Sequence, residues 1–169
     1  MRTAVAALLA AVTLSPGMSA PTYAATSIEG HGTYVNAQVT ATPVSKANGV
    51  AVVRLHFTST LTGILTGTCA VGGTEAVRAD GSAAAWGTGW CRGTVAERQG
   101  VFLLRIRASF AADGSVQARF LLSGSGALAS LHGLGTAQGT LAAGTNAFRL
   151  RFDERRHASR ARGPAGPSA

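Results

Sequence analysis

Apolar and polar residues take turns along most of the chain. Between Val50 and Thr62, Ala51, Val53, Leu55, Phe57 and Leu61 fall on one side, with Arg54, His56, Thr58 and Thr60 on the other. The same period of two sets Phe102, Leu104, Ile106, Ala108 and Phe110 against Arg105 and Arg107. It recurs in Val116, Ala118, Phe120 and Leu122, which oppose Gln117 and Arg119. Such alternation belongs to strands with one dry face and one wet face. No stretch from Ala25 to Phe152 carries an apolar stripe at helical spacing. Asn48-Gly49, Asp80-Gly81 and Asp113-Gly114 tolerate positive φ and so mark tight hairpins.

The strands so predicted are Gly32 to Val44, Val50 to Thr62, Leu65 to Val71, Thr74 to Ala79, Ser82 to Val95, Val101 to Ala111, Ser115 to Ser123 and Ala147 to Phe152. About eight strands in meander order are closed most economically as an antiparallel β-barrel, which abolishes sheet edges; a two-sheet sandwich is the alternative. The interior of such a barrel is wide enough for side chains, or for one small ligand.

The ends of the chain read differently. Arg2, the apolar run Ala4 to Leu14, the breakers Pro16 and Gly17 and the small residues up to Ala25 have the layout of a signal peptide, with cleavage expected after Ala24. The run is too short for a membrane-spanning helix, so the expectation is a secreted, extracytoplasmic protein with no transmembrane segment. A retained N-terminal anchor is the competing reading. From Asp153 to Ala169, Arg155, Arg156, Arg160 and Arg162 are mixed with glycine and proline and no large apolar residue, which predicts a disordered tail. The barrel domain is thereby bounded at residues 25–152.

Composition sharpens this picture in two places. Fourteen arginines and one lysine against seven acids give a net charge of +8. Weak attachment of the tail to an anionic cell envelope is one reading and a merely solvated tail is the other. Nucleic acid is not expected as a partner, because no groove-reading module appears beside the charge. Two cysteines, Cys69 and Cys91, in an exported chain predict a disulfide closing 22 residues. They have no CxxC or HxxxH companions, so no metal is expected. Gly124-Ser125-Gly126-Ala127-Leu128-Ala129 formally fits the dinucleotide fingerprint GxGxxG/A, but Gly133 and Gly135 interrupt the helix it needs, and no acid follows until Asp153. No cofactor is implied.

Candidate chemistry rests on few residues. Read as a continuous alternation, the first strand puts Glu29 and His31 on the inner face with Thr33, Val35, Ala37, Val39 and Ala41, where a carboxylate and an imidazole form a candidate acid-base pair. Solvated charges near a chain end are the plainer reading. Trp86 and Trp90 share one face of their strand, opposite Gly87, Gly89 and Gly93, and either line a ligand cavity or fill the core. His56 is outward by alternation and His132 falls in a glycine loop; neither has an evident partner.

Three stretches resemble one family. GSGALASLHGLGT from Gly124 to Thr136 resembles the closing "GSGTGxLAGLxGxG" of a family of uncharacterised, mostly bacterial proteins, a domain of unknown function grouped with the allene oxide cyclase barrels. GTVAERQGVFLL from Gly93 resembles that family's "GxLxGRxGSFxL", and IEGHGT from Ile28 resembles its opening "GxGT". The resemblance implies an eight-stranded barrel akin to allene oxide cyclase and dirigent proteins, whose cavity holds apolar substrates. The cyclase's catalytic residues have no counterparts here, so activity is not implied. The expectation is an exported barrel that binds a small apolar ligand or serves as a scaffold. The alternative is an isomerase or cyclase with Glu29 or His31 as proton carrier.

Overall fold

Eight antiparallel strands in sequence order form a single sheet that closes on itself, β1 pairing with both β2 and β8. They are β1 (Thr26–Ala47), β2 (Val50–Gly63), β3 (Leu65–Val77), β4 (Ala83–Val95), β5 (Arg98–Phe110), β6 (Ser115–Ser125), β7 (Leu131–Thr140) and β8 (Ala143–Phe152). A 3-10 turn, Gly126–Leu128, joins β6 to β7. The computed structural model describes residues 26–153, and the expected signal peptide and all of the expected tail beyond Asp153 lie outside the described residues. Among the described residues, no helix is long and apolar enough to cross a membrane.

The strand count agrees with the sequence reading although two assignments differ. Leu65–Val77 is one strand and not two, because Gly72 and Gly73 pair in register with His56 and Leu55 instead of turning. Gly133, Gly135 and Gly139 likewise sit inside β7, a strand the glycines concealed. A Cβ at Gly135 would run into the ring of Phe148, so the missing side chain makes room for an aromatic one. Small residues opposite rings let the barrel interior interdigitate.

β1 departs furthest from a simple alternation. Ala37 is opposite Thr58 but Thr40 is opposite His56, so β1 carries one extra residue, and Gln38 takes a φ of 55° at that bulge. The bulge inverts which side chains face inward. Before it, Ile28, Gly30, Gly32, Tyr34 and Asn36 face in, and Glu29, His31, Thr33, Val35 and Ala37 are exposed. The expected inner face of this strand is therefore its outer face. Beyond Asn36 the strand no longer pairs with β8 and runs on with β2 as a projecting ribbon to Ala47. Its free edge is interrupted by two bulges and carries Pro43 and Lys46, devices that discourage strand addition.

The two ends of the barrel are unlike. At one end the 3-10 turn folds across the opening and buries Leu128 completely, with Leu65, Val95, Leu131, Leu150 and Phe152 around it. The Arg98 guanidinium lies 4.2 Å above the Phe152 ring at this end. The other end carries the β1–β2, β3–β4, β5–β6 and β7–β8 hairpins. Asp80 Oδ1 there accepts the Ser82 amide at 2.9 Å, and Asp113 Oδ1 accepts the Ser115 amide at 2.9 Å. The Ser82 hydroxyl donates to Asp80 Oδ1 as well, at 2.7 Å; these bonds, the hydroxyl's foremost at Asp80 and the Ser115 amide's at Asp113, favour the ionised carboxylates and hold both below the usual aspartate range.

Cys69 and Cys91 are direct cross-strand partners on β3 and β4 and form a disulfide inside the barrel. They cross-link the hairpin that the Asp80-Gly81 turn begins.

Leu128 is the plug of the closed end. Leu128→Ala is expected to lower unfolding free energy by about 3 kcal/mol in urea titrations, the usual cost of a buried leucine truncated beside walls that cannot collapse.

Candidate functional site

A register row of small residues decides where the barrel is hollow. Ala85 is opposite Ala108, Ala108 opposite Ala118, Ala118 opposite Ala137, and Ala137 opposite Asn146. On the next row toward the closed end Ile106 and Phe120 are partners, and the Phe120 and Phe148 rings stack at 5.7 Å. On the next row toward the hairpins Phe110 is opposite Val116. Methyl groups between two rows of large side chains leave space. The result is an inner chamber of about 90 Å3, with Ala108, Ala118 and Ala137 on its wall together with Phe57, Leu104 and Ile106.

Polar groups enter this apolar chamber from one side. Tyr34, Asn36 and Ser59 come from β1 and β2, Asn36 and Ser59 being cross-strand partners, and Asn146 comes from β8. The Tyr34 hydroxyl donates to the Thr140 carbonyl at 2.7 Å, and burial pushes its ionisation above the ordinary 10.0. Asn36 Nδ2 donates to the Leu141 carbonyl at 2.6 Å. Its Oδ1 is buried without a partner, and so is Oδ1 of Asn146, a residue only 5% exposed. A buried acceptor left unpaired costs on the order of 1–3 kcal/mol.

The residues singled out from sequence are elsewhere. Glu29 and Arg149 form an ion pair at 2.7 Å on the outer surface, where both are more than half exposed. His31 is exposed on the same outer face of β1, so the two do not meet in the lumen. Trp86 and Trp90 are 52% and 61% exposed, on the outer face of β4, and neither lines the chamber nor fills the core. The alternation of β4 is as read, but it is Gly87, Gly89, Cys91 and Gly93 that point in. His132 lies 3.8 Å from Asp153 at the start of β7, and His56 is outward as expected. Among the described residues, no group of three or more His, Cys, Asp or Glu could hold a metal ion.

One inward acid was missed. Glu75 stands in the alanine row beside Ala85 and opposite Val53, and desolvation by burial raises its pKa above the ordinary 4.5. Its parity with Val71 and Gly73 along β3 was the available signal, obscured by reading Gly72-Gly73 as a break. The polar Asn36 and Asn146 were missed because a single asparagine in a strand carries no pattern of its own.

These features define a closed eight-stranded antiparallel barrel with one sealed end and a small, mostly apolar chamber. The family profile described as "Protein of unknown function (DUF3224)" matches residues 30–152, and the chain belongs to that family. It is similar in fold to the crystal structure of a DUF3224-family protein of unknown function from Shewanella oneidensis MR-1. That match has 21% identity and a TM-score of 0.60, and covers 77% of this chain and 99% of the other. No curated protein matches this chain.

Two outcomes are expected from this arrangement. Tryptophan emission should be that of water-exposed indole and be quenched fully by added acrylamide, since both rings are outside. Because Glu75 holds its proton more tightly folded than unfolded, its contribution is complete below about pH 4 and is lost as pH rises through the folded value. Glu75→Gln is therefore expected to raise Tm at pH 7 and to give no gain below about pH 4.

Proposed function

We propose that this barrel binds one small, mainly apolar ligand that carries a hydrogen-bond donor. The observation that carries the reading is Asn146 Oδ1, buried and unpaired in the wall of a mostly apolar chamber. A ligand hydroxyl or amide N–H satisfies it, and the alanine row gives the ligand's apolar part its space. Asn36 Oδ1, with its amide nitrogen already committed to Leu141, offers a second acceptor.

Size follows from the volume. At about 90 Å3 the chamber is far below the roughly 300–1,000 Å3 of drug-sized pockets. On the scale on which a 150 Å3 cavity takes benzene, it holds about four non-hydrogen atoms. The resemblance to allene oxide cyclase barrels supports the lumen as the place of binding. An isomerase or cyclase reading gains no support from Glu29 and His31, which face solvent. We also read the protein as exported, in keeping with its signal-like first 24 residues and its Cys69–Cys91 disulfide.

Methyl NMR of Ala108, Ala118 and Ala137 during titration with 1-propanol and with xenon tests the reading. Both probes are expected to shift these signals, and Ala118→Leu, which fills the chamber, is expected to abolish the response at equal or higher Tm. Unchanged methyl signals up to the highest usable concentrations of both probes would contradict it.

A further inference from the structure

The outer surface carries a second hollow, on the opposite side of the sheet from the lumen, with the backbone of Ala108, Ala118, Ala137 and Asn146 as the shared wall. It has a volume of about 960 Å3 and runs across β5, β6, β7, β8 and β1. One register row crosses it: Arg107 is opposite Arg119, Arg119 opposite Thr136, Thr136 opposite Ala147, and Ala147 opposite His31. Trp86 stands just outside, in register with Arg107, its indole exposed.

Two arginines placed directly opposite each other on neighbouring strands repel and destabilise the sheet. The hollow's lining contains no acid to relieve them. Among the described residues the ion pairs are Glu29–Arg149 and His132–Asp153, and neither involves Arg107 or Arg119. Each guanidinium is thus free to take a carboxylate through its forked N–H groups, the geometry arginine fits best. Beside them, Ser109, Gln117, Gln138 and Thr145 offer neutral donors and acceptors along the same hollow.

We propose that this hollow binds an acidic polysaccharide, a sugar polymer bearing carboxylates. Arg107 and Arg119 take the carboxylates, the glutamines and hydroxyls take sugar hydroxyls, and the flat exposed face of Trp86 takes a sugar ring at the edge. A single-stranded nucleic acid fits less well, since it needs aromatic platforms along its path and the hollow contains none. Spacing agrees with an extended chain, because successive strands set the row's members about 5 Å apart.

Calorimetric titration of the full chain with polygalacturonate, and with dextran as the neutral polymer, tests this. Polygalacturonate is expected to bind at low salt and dextran not. Binding should fall steeply toward 1 M salt, where charges are screened within about 3 Å. R107Q/R119Q is expected to lose about a hundredfold in affinity, as two charge-assisted contacts disappear, with Tm unchanged or higher. R155Q/R156Q/R160Q/R162Q, which neutralises the arginine-rich tail, is expected to lose less than R107Q/R119Q. The proposal is overturned if R107Q/R119Q binds as wild type, if the tail variant loses more, if dextran binds equally, or if an oligothymidylate of matched charge binds more tightly than polygalacturonate.

Discussion

Closure of the sheet is the constraint on which everything else rests. Once β1 pairs with β8, each strand has a partner on both sides over the barrel's length, and side chains have only two places to go. What lies inside is then fixed by register rows, and each row is filled or empty according to the side chains at about eight positions. Rows rich in Phe, Leu and Val pack the sealed end around Leu128; the row of Ala85, Ala108, Ala118 and Ala137 does not fill its share. Chamber and core are consequences of one rule applied to different residues.

Much of this architecture was legible in the sequence. β2, β5 and β6 face as their alternation says, and the Asn48-Gly49, Asp80-Gly81 and Asp113-Gly114 turns fall between strands. Glycine concealed the continuity of β3 and the extent of β7. In Gly72-Gly73 and in Gly133, Gly135 and Gly139 the residue serves close approach of backbones or rings within a strand, whereas composition alone suggests a turn. Conversely, the turn at Ala96 and Glu97 is made by two non-glycine residues at φ of 45° and 68°, without any residue that advertises it.

The candidate site was less legible, for a reason specific to β1. Alternation predicts facing only while the register is unbroken, and the extra residue at Gln38 breaks it. Extending the pattern of Val39 and Ala41 backward therefore turned Glu29 and His31 inward, where Ile28, Gly30, Gly32 and Tyr34 in fact are. Two of those inner positions, Gly30 and Gly32, carry no side chain and so no hydrophobic signal. Trp86 and Trp90 misled for the opposite reason: large aromatic residues suggest burial, yet period-two parity with Arg92 already placed them on the wet side.

The molecule separates what stabilises it from what the fold does not need. The sealed end, the hairpin disulfide and the stacked Phe120–Phe148 pair favour the closed barrel and use apolar side chains throughout. Two features work against stability: unpaired amide oxygens of Asn36 and Asn146 inside, and Arg107 facing Arg119 outside. An apolar residue of similar size at the first pair, or a neutral one at the second, would remove an unfavourable term without touching the rows that close the barrel. Each defect sits beside a hollow, the asparagine oxygens at the chamber and the arginine pair at the outer one. Stability alone therefore does not account for these four side chains.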